Sequence, residues 1–169
     1  HLIRSGKFDV VLTAFNYSLL WREAEIEVLP AAREQGMGVI LGSPLQPGAL
    51  AECFREQVDD PGVSWLSPSR RGQLVKLYEL VDQTAMPLPE MALRFVISND
   101  DVDTVLMGAR SDAEVEQNVA AVEKGPLPPD LLARLDEIAA TVPFRPFCEP
   151  FGMGSALRAG RKYRGPGSA

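Results

Sequence analysis

The sequence has little of the residue types on which many catalytic and metal sites depend. Among its 169 residues it has one histidine, His1, and two cysteines, Cys53 and Cys148. The cysteines show no metal-ligand spacing, and a lone terminal histidine is far more often incidental than catalytic. So few cysteines favour a reduced, cytoplasmic setting. The sequence therefore predicts no metal site, and chemistry that needs an internal histidine must take it from sequence outside this chain.

The chain also lacks an excess of positive charge and any long apolar run. It has 17 Lys and Arg against 23 Asp and Glu, which gives a net charge of −6 and a pI near 4.9. Because phosphate backbones bind basic faces, the acidity argues against a nucleic-acid partner. No run approaches the roughly 20 apolar residues that span a membrane, and no signal segment opens the chain. With 46% hydrophobic residues, one packed domain is expected.

Short apolar strands alternate with amphipathic helices along the chain. Strands are predicted at 8–14, 39–41 and 103–107, and helices at 22–35, 49–57, 70–84, from Pro89 onward, 112–123 and 129–141. Residues 2–6 look like the last turn of a helix, so we expect a fragment of something longer or a processed chain. The tail from Pro143 is rich in Gly, Pro and Arg and is predicted to be largely irregular.

This alternation predicts an α/β fold with a parallel sheet and helical crossovers. Three strands are few for an open sheet and fit better as the last part of a (β/α)₈ barrel. The turns at 13–17, 42–48 and 108–111 then lie together at the carboxyl ends of the strands, where barrel proteins bind ligands. Val11, Ile40 and Val105 are predicted to line the barrel interior.

Three stretches of the sequence resemble consecutive blocks of the aldo-keto reductase family. They read "FDVVLTAFNYSLL", "GMGVILGSPLQPGAL" and "VDTVLMGARSDAEVEQNVAAV". The resemblance covers residues 1–142 and implies the C-terminal portion of a TIM barrel, about strands six to eight with their helices, followed by a tail over 143–169. The first two blocks are most similar to the aldose 1-dehydrogenase-like branch.

The resemblance implies an oxidoreductase that transfers hydride between NADP(H), or NAD(H), and a small carbonyl or sugar substrate. The family's catalytic Tyr, Lys, Asp and His belong to the first half of the barrel. None of them can be carried onto this chain, so we expect no catalytic residue here and no activity from the fragment alone.

The turn after the second predicted strand matches the family's S-P-L turn. The resemblance implies that Ser43, Pro44, Leu45 and Gly48 lie against the cofactor pyrophosphate, although a tight structural turn explains the same residues. Many relatives place an aromatic residue before this turn to stack on the nicotinamide. Here Gly42 stands there, and Phe15 is the alternative cover for that ring.

The third block implies the adenosine end of the cofactor site. Its matching residues are Gly108, Ala109, Arg110 and Ser111 in the loop, Glu114 near the ribose, and Gln117 and Asn118 toward the adenine. Ser111 and Glu114 also form a capping box whatever the function, and Arg110 is equally well an ordinary solvated charge. Thr13 stands where relatives carry a carboxamide-binding Gln, or is simply a strand residue.

Two other interpretations remain open at this point. One is a noncatalytic nucleotide-binding or regulatory half-barrel, and the other is an unrelated α/β domain whose Gly-rich turns are only structural. Arg110 as a partner for a 2′-phosphate favours NADP(H), whereas a carboxylate at Glu114 suits the ribose hydroxyl of NAD(H).

Overall fold

Three parallel strands form the centre of the fold. The computed structural model describes residues 1–46, 49–63 and 66–143. The strands are β1 (Val10–Ala14), β2 (Gly38–Gly42) and β3 (Thr104–Leu106), and the helices are α1 (Val28–Glu34), α2 (Arg55–Asp59), α3 (Pro68–Thr84), α4 (Leu88–Val96), α5 (Asp112–Glu123) and α6 (Pro129–Ala140). All three predicted strands and the main helices are therefore confirmed.

The order of the sheet is β1-β2-β3, and both pairings are parallel. Ala14 pairs with Gly42, and Gly42 pairs with Leu106. Because the strands run the same way in this register, their carboxyl ends meet at one edge of the sheet. This confirms the predicted arrangement of the three turns.

The predicted helix over 22–35 is divided in two. A single 3-10 turn covers Glu23–Glu25, and α1 begins only at Val28. Pro30 thus falls in the first turn of α1, where a missing N–H costs nothing. Leu29 and Ala32 are buried as expected, but Ile26 is exposed because it lies before α1 and off its buried face. Gly36, with φ of 61°, then reverses the chain into β2.

The predicted helix over 49–57 begins late. Ala49 and Leu50 lie in turns, where their N–H groups donate to the carbonyls of Gln46 and Leu45, and α2 starts at Arg55.

Helix α3 begins two residues before its predicted start, at Pro68. The Ser67 hydroxyl accepts the Arg70 N–H at 3.1 Å, so this helix has a side-chain cap that the apolar periodicity did not reveal.

Among the described residues, helices cover one face of the sheet and leave the other without a helical layer. Val39 and Leu41 of β2 are buried in the core, and Val11 and Val105 pack against the same core. Strand side chains alternate between faces, so Leu12 and its neighbours point the other way. That uncovered face includes Val10, Leu12, Ile40 and Leu106, and Leu12 is 57% exposed. Ile40 thus lies on the face predicted to line the barrel interior. Val11 and Val105 lie on the opposite face, and their neighbours Leu12 and Leu106 take the predicted places.

A buried polar link joins α3 to the end of α6. The Gln73 amide nitrogen donates to the carbonyls of Ile138 at 3.0 Å and Ala139 at 3.2 Å. Arg70 donates to the Gln73 side-chain oxygen and lies over the Trp21 ring. The same two carbonyls accept the N–H groups of Thr141 and Val142, so the Gln73 side chain adds a second bond to each and ties α3 to the end of α6.

Two buried tyrosines make the fold sensitive to alkali. The Tyr78 hydroxyl accepts the Phe54 N–H at 3.1 Å, and the Tyr17 hydroxyl accepts from the Asn99 amide at 2.9 Å. Burial raises the pKa of Tyr17 and raises the pKa of Tyr78 to about 12. The unfolded phenol ionises near pH ~10, so the stabilisation is complete below that pH and is lost as pH rises toward 12. The loss from Tyr78 is roughly 2–3 kcal/mol.

We expect the phenolate absorbance of the folded protein to show a late step with a midpoint near pH 12. Tyr78→Phe should remove part of that step, and Tyr17→Phe should leave the Tyr78 part in place. If every tyrosine ionised with a midpoint near ~10, as in an unfolded chain, this expectation would be wrong.

Candidate functional site

Three turns at the carboxyl edge of the sheet form the candidate site. They follow β1 at Phe15, β2 at Ser43 and β3 at Met107. The pairing of Ala14 with Gly42 and of Gly42 with Leu106 brings the three chain segments side by side as they leave the sheet. In parallel α/β folds this edge is where ligands bind, because the turns there are free to vary without disturbing the sheet.

The first residues after β1 and β2 have unusual backbone conformations. Phe15 has φ of 64° and Ser43 has φ of 61°, both in the left-handed region. Non-glycine residues rarely adopt this region, and each such residue costs on the order of 1–3 kcal/mol. Because Ala14 pairs with Gly42, the two strained residues are neighbours across the sheet. Such strain is typical of functional turns.

The turn after β2 is closed by the Gln46 N–H, which donates to the Ser43 carbonyl at 3.0 Å. Pro44 is buried and Leu45 packs against the core, so these two residues fix the turn rather than face solvent. Gly48 lies outside the described residues. Gln46 itself has φ of 48° and is buried, and its side-chain nitrogen has no hydrogen-bond partner among the described residues. Sequence reasoning did not single out Gln46, and its pattern carries no signal of this burial.

The turn after β3 leads directly into the N-terminus of α5. The Ser111 hydroxyl accepts the Glu114 N–H at 3.2 Å, which confirms the predicted cap. Glu114 turns back as expected, but its Oε2 accepts the N–H of Arg110 at 2.7 Å, one residue before the position that a capping box uses. The Arg110 Nη2 lies 3.6 Å from Glu114 Oε1. One carboxylate thus holds both the backbone and the side chain of Arg110.

This arrangement leaves the Arg110 guanidinium in solvent. Its side chain is 77% exposed and that of Glu114 is 40% exposed, so the ion pair is weak. Gly108 and Ala109 are also exposed, and a Cβ added at Gly108 would meet no atom within 4 Å. The loop is therefore open, and its helix N-terminus favours an anion. Gln117 is exposed and Asn118 half-buried on the next turn of α5.

Thr13 does not join this group of residues. It is buried on the helix-covered face with Val11, so its hydroxyl points away from the open side of the sheet. Ala14 is the residue of β1 that faces the open side at the carboxyl end. A Cβ added at Gly42 would lie 3.3 Å from the Ala14 Cβ, which leaves little room there for a larger residue. The predicted role of Thr13 as a side-chain ligand is therefore not favoured by the structure.

Over the described ranges 1–46, 49–63 and 66–143, no three His, Cys, Asp or Glu side chains group as metal ligands do. Within the same part of the chain, every helix is too short or too polar to cross a membrane. Cys53 is a free, half-buried thiol.

The model of the Aldo/keto reductase family matches residues 2–140. The chain belongs to this family. Its members are oxidoreductases that act on small carbonyl or sugar substrates with nicotinamide cofactors. The interpretation of the turns as those of an unrelated α/β domain is therefore wrong.

The chain spans less than half the length of the curated relatives that it matches. The D-threo-aldose 1-dehydrogenase of Pseudomonas sp is 29% identical over 137 residues, which are 80% of this chain and 41% of that protein. The NADH-specific methylglyoxal reductase of Escherichia coli (strain K12) is 27% identical over 131 residues, 71% of this chain and 39% of that protein. The chain thus spans less than half the length of these two aldo/keto reductases.

A solved structure shows the same fold. The apo form of the aldo-keto reductase AKR11C1 from Bacillus halodurans is 26% identical, with a TM-score of 0.65 over 88% of this chain and 49% of that one. The three-stranded parallel sheet and its helices are therefore an α/β fold similar to part of the aldo/keto reductase barrel, as a fragment would be.

Proposed function

We propose that residues 1–142 form the C-terminal portion of a (β/α)₈ barrel, about strands six to eight, and supply its cofactor-binding turns. The tail over 143–169 lies outside the described residues from residue 144 onward. The complete protein transfers hydride between NAD(P)H and a small carbonyl or sugar substrate in the cytoplasm. The observation that carries this proposal is the meeting of three turns at one sheet edge, two of them opened by left-handed residues at Phe15 and Ser43.

The residues present fit the diphosphate part of such a cofactor. Gln46 has a buried amide nitrogen with no acceptor among the described residues, and a phosphate oxygen is the kind of acceptor it lacks. Ser43 offers a hydroxyl at the same turn, and Pro44 and Leu45 hold the turn rigid. Exposed backbone at Gly108 and Ala109 permits close approach of a phosphate at the start of α5.

The residues of this chain bind and orient the cofactor, and they do not transfer a proton to the substrate. Tyr17 and Tyr78 are buried, hydrogen-bonded phenols whose pKa values are raised, so neither resembles an exposed general acid. When bound, the nicotinamide supplies the hydride, and Phe15 lies at the β1 turn beside the S-P-L turn, in place to cover its ring. The catalytic Tyr, Lys, Asp and His come from the other half of the barrel.

The substrate class follows from the relatives alone. The Pseudomonas relative is named for an aldose and the E. coli relative for methylglyoxal. We assign the aldose 1-dehydrogenase-like branch because the first two sequence blocks resemble it most. A noncatalytic nucleotide-binding or regulatory half-barrel is the alternative, and it predicts cofactor binding without turnover of either substrate.

The test uses the full chain joined to the half of the Bacillus halodurans enzyme that it does not match, hereafter the completed barrel. Fluorescence titration with NADPH should show saturable binding, and aldoses and methylglyoxal should then be assayed as substrates. Ser43→Val should weaken NADPH binding about tenfold or more. A β-branched residue disfavours the left-handed conformation that the turn needs, at a cost of ~1–3 kcal/mol. Ser43→Gly keeps the left-handed turn and removes only the hydroxymethyl group, so it should weaken NADPH binding less than Ser43→Val does. Thr13→Val changes a residue on the helix-covered face and should bind NADPH much as the parent does. Unchanged binding by Ser43→Val would refute the placement of the site.

Cofactor preference depends on Arg110. We propose NADP(H) as the preferred form, with NAD(H) also bound, because Glu114 is turned onto Arg110 and away from the ribose. In the completed barrel, Arg110→Ala should raise the Kd for NADPH more than that for NADH. The loss of one charge-assisted contact is worth about 1.5–3 kcal/mol, roughly tenfold or more.

Glu114→Gln is the matched control. It keeps an acceptor for the Arg110 N–H and removes the competing charge, so NADPH binding should stay the same or tighten. Equal losses for the two cofactors in Arg110→Ala would show that this side chain does not contact a 2′-phosphate.

A further inference from the structure

The turn after β2 buries an amide that forms no hydrogen bond. Gln46 is only 3% exposed, and within the part of the chain that the structure describes its Nε2 atom is buried without an acceptor. Buried polar groups normally have a partner, because an unpaired one gives up the hydrogen bonds that it made to water in the unfolded chain. The ligand-free fold therefore keeps Gln46 at a cost in stability that an apolar side chain of the same size would avoid.

The backbone of Gln46 is fixed, in contrast to its side chain. Its N–H donates to the Ser43 carbonyl at 3.0 Å, and its carbonyl accepts the Ala49 N–H at 2.8 Å. Its φ of 48° lies in the left-handed region, as does the φ of 61° at Ser43. Such conformations persist only where the surrounding structure holds them, and they are concentrated at ligand-binding turns. The two backbone bonds thus fix where the side chain begins, and no bond fixes where its amide lies.

Gln73 shows how a buried glutamine is bonded when its role is structural. It is 1% exposed, its amide nitrogen donates to the carbonyls of Ile138 and Ala139, and its oxygen accepts from Arg70. Those bonds join α3 to the end of α6. The same residue type at the same depth is thus bonded at position 73 and unbonded at position 46, so a structural role does not account for Gln46.

The group that the Gln46 amide lacks is an acceptor. The nearest carbonyls of the turn are already in use, since that of Ser43 accepts the Gln46 N–H and that of Gln46 accepts the Ala49 N–H. Because the amide forms no bond where it lies, it loses none when it rotates about its side-chain torsions toward the surface of the turn. An ionised phosphate oxygen at that surface would accept a stronger hydrogen bond than a neutral group does.

We propose that Gln46 is a diphosphate-binding residue that changes place when the ligand binds. In the ligand-free protein its amide is held under the turn without a partner, and in the complex it rotates outward and donates to a phosphate oxygen. This inference rests on the proposed function and adds a residue that couples cofactor affinity to the stability of the empty turn. The coupling has a definite sign: an apolar side chain at position 46 weakens ligand binding and leaves the empty fold no less stable.

The first test compares Gln46→Met with Gln73→Met in the completed barrel without ligand. Methionine is an unbranched side chain of similar length that cannot donate a hydrogen bond. Gln46→Met should leave the thermal midpoint unchanged or raise it by about 2–4 °C, because it removes an unpaired group. Gln73→Met should lower the midpoint by about as much or more, because it removes bonds to two helix carbonyls and to Arg70.

The second test is calorimetric titration of the same variants. Gln46→Met should raise the Kd for NADPH about tenfold, the usual effect of losing one hydrogen bond to a charged group. The Kd for adenosine 2′-phosphate, which lacks the diphosphate, should change by less than about twofold. Gln73→Met should leave both Kd values near those of the parent.

A weaker NADPH complex together with an empty fold of equal or greater stability in Gln46→Met would support the inference. A Gln46→Met variant that melts as early as Gln73→Met would show that the amide has a structural partner such as a bound water, and would overturn it. Equal losses for NADPH and adenosine 2′-phosphate, or an unchanged Kd for NADPH, would overturn it while leaving the proposed function in place. Absence of NADPH binding by the unsubstituted completed barrel would instead refute the proposed function, and this inference with it.

Discussion

Produced alone, residues 1–169 are expected to give oligomers or aggregates, not a monomer with a cooperative thermal transition. The uncovered sheet face presents Val10, Leu12 and Leu106 to water, each about half exposed or more. In the part of the chain that the structure describes, the outer edges of β1 and β3 also have no strand beside them. Each aliphatic side chain left in water forgoes roughly 1.5–3 kcal/mol, and a whole domain has a net stability of only about 5–15 kcal/mol. Sedimentation velocity and differential scanning calorimetry measure the two properties directly.

A pair of lysine substitutions distinguishes association through the uncovered sheet face from general instability of the fold. Leu12→Lys places a charge on the uncovered face and should raise the monomer fraction of the isolated chain. Leu41→Lys places the same charge in the core, where the side chain is fully buried, and should abolish folding. A monodisperse wild-type chain with a sharp melt, or equal effects of the two lysines, would contradict the idea that an uncovered face drives association.

The second large effect concerns the helical layer that supports the site. In the completed barrel, Leu77→Ala should lower the free energy of unfolding by about 2–5 kcal/mol, because it removes buried methyl groups and leaves a cavity. Leu77 is fully buried on α3 within the main core. The measurement is urea denaturation followed by circular dichroism, with the midpoint and slope analysed separately.

Val75→Ala on the same helix is the control, since Val75 is 40% exposed. It should cost less than about 1 kcal/mol, the usual range for a surface change. If the two substitutions destabilised the protein equally, the division of α3 into a buried and an exposed face would be incorrect.

Several elements were predictable because local chemistry specifies them. The S-x-x-E pattern at Ser111–Glu114 fixes the start of α5, and the hydroxyl cap is found as expected. The apolar spacing of α3 and α4 places Leu74, Leu77 and Met91 in the core. The strand–helix alternation gives a parallel sheet, so the three turns meet at one edge. The resemblance of the three blocks also gives the family, which the match over residues 2–140 confirms.

Other features depend on contacts that no local pattern contains. The strand pattern of β1 is apolar on both faces, so it does not say whether Val11 or Leu12 faces the helices. Packing decides this: Val11 and Thr13 lie under the helices, which places Thr13 on the covered face and shifts the residues on the uncovered face by one position. Likewise, the burial of Gln46 and the bond from the Arg110 N–H to Glu114 follow from how the turns lie against the sheet.

The sequence by itself determined the order of strands and helices, the capped start of α5, the family and the position of the candidate turns along the chain. These depend on residue types and spacings within one segment, where backbone preferences and hydrogen bonds are local. Only the tertiary structure decided which side of each strand the helices cover, that Phe15 and Ser43 stand side by side in left-handed conformations, and that the valines of α5 remain exposed. Those properties depend on segments far apart in sequence, whose packing sets which side chains lose contact with water.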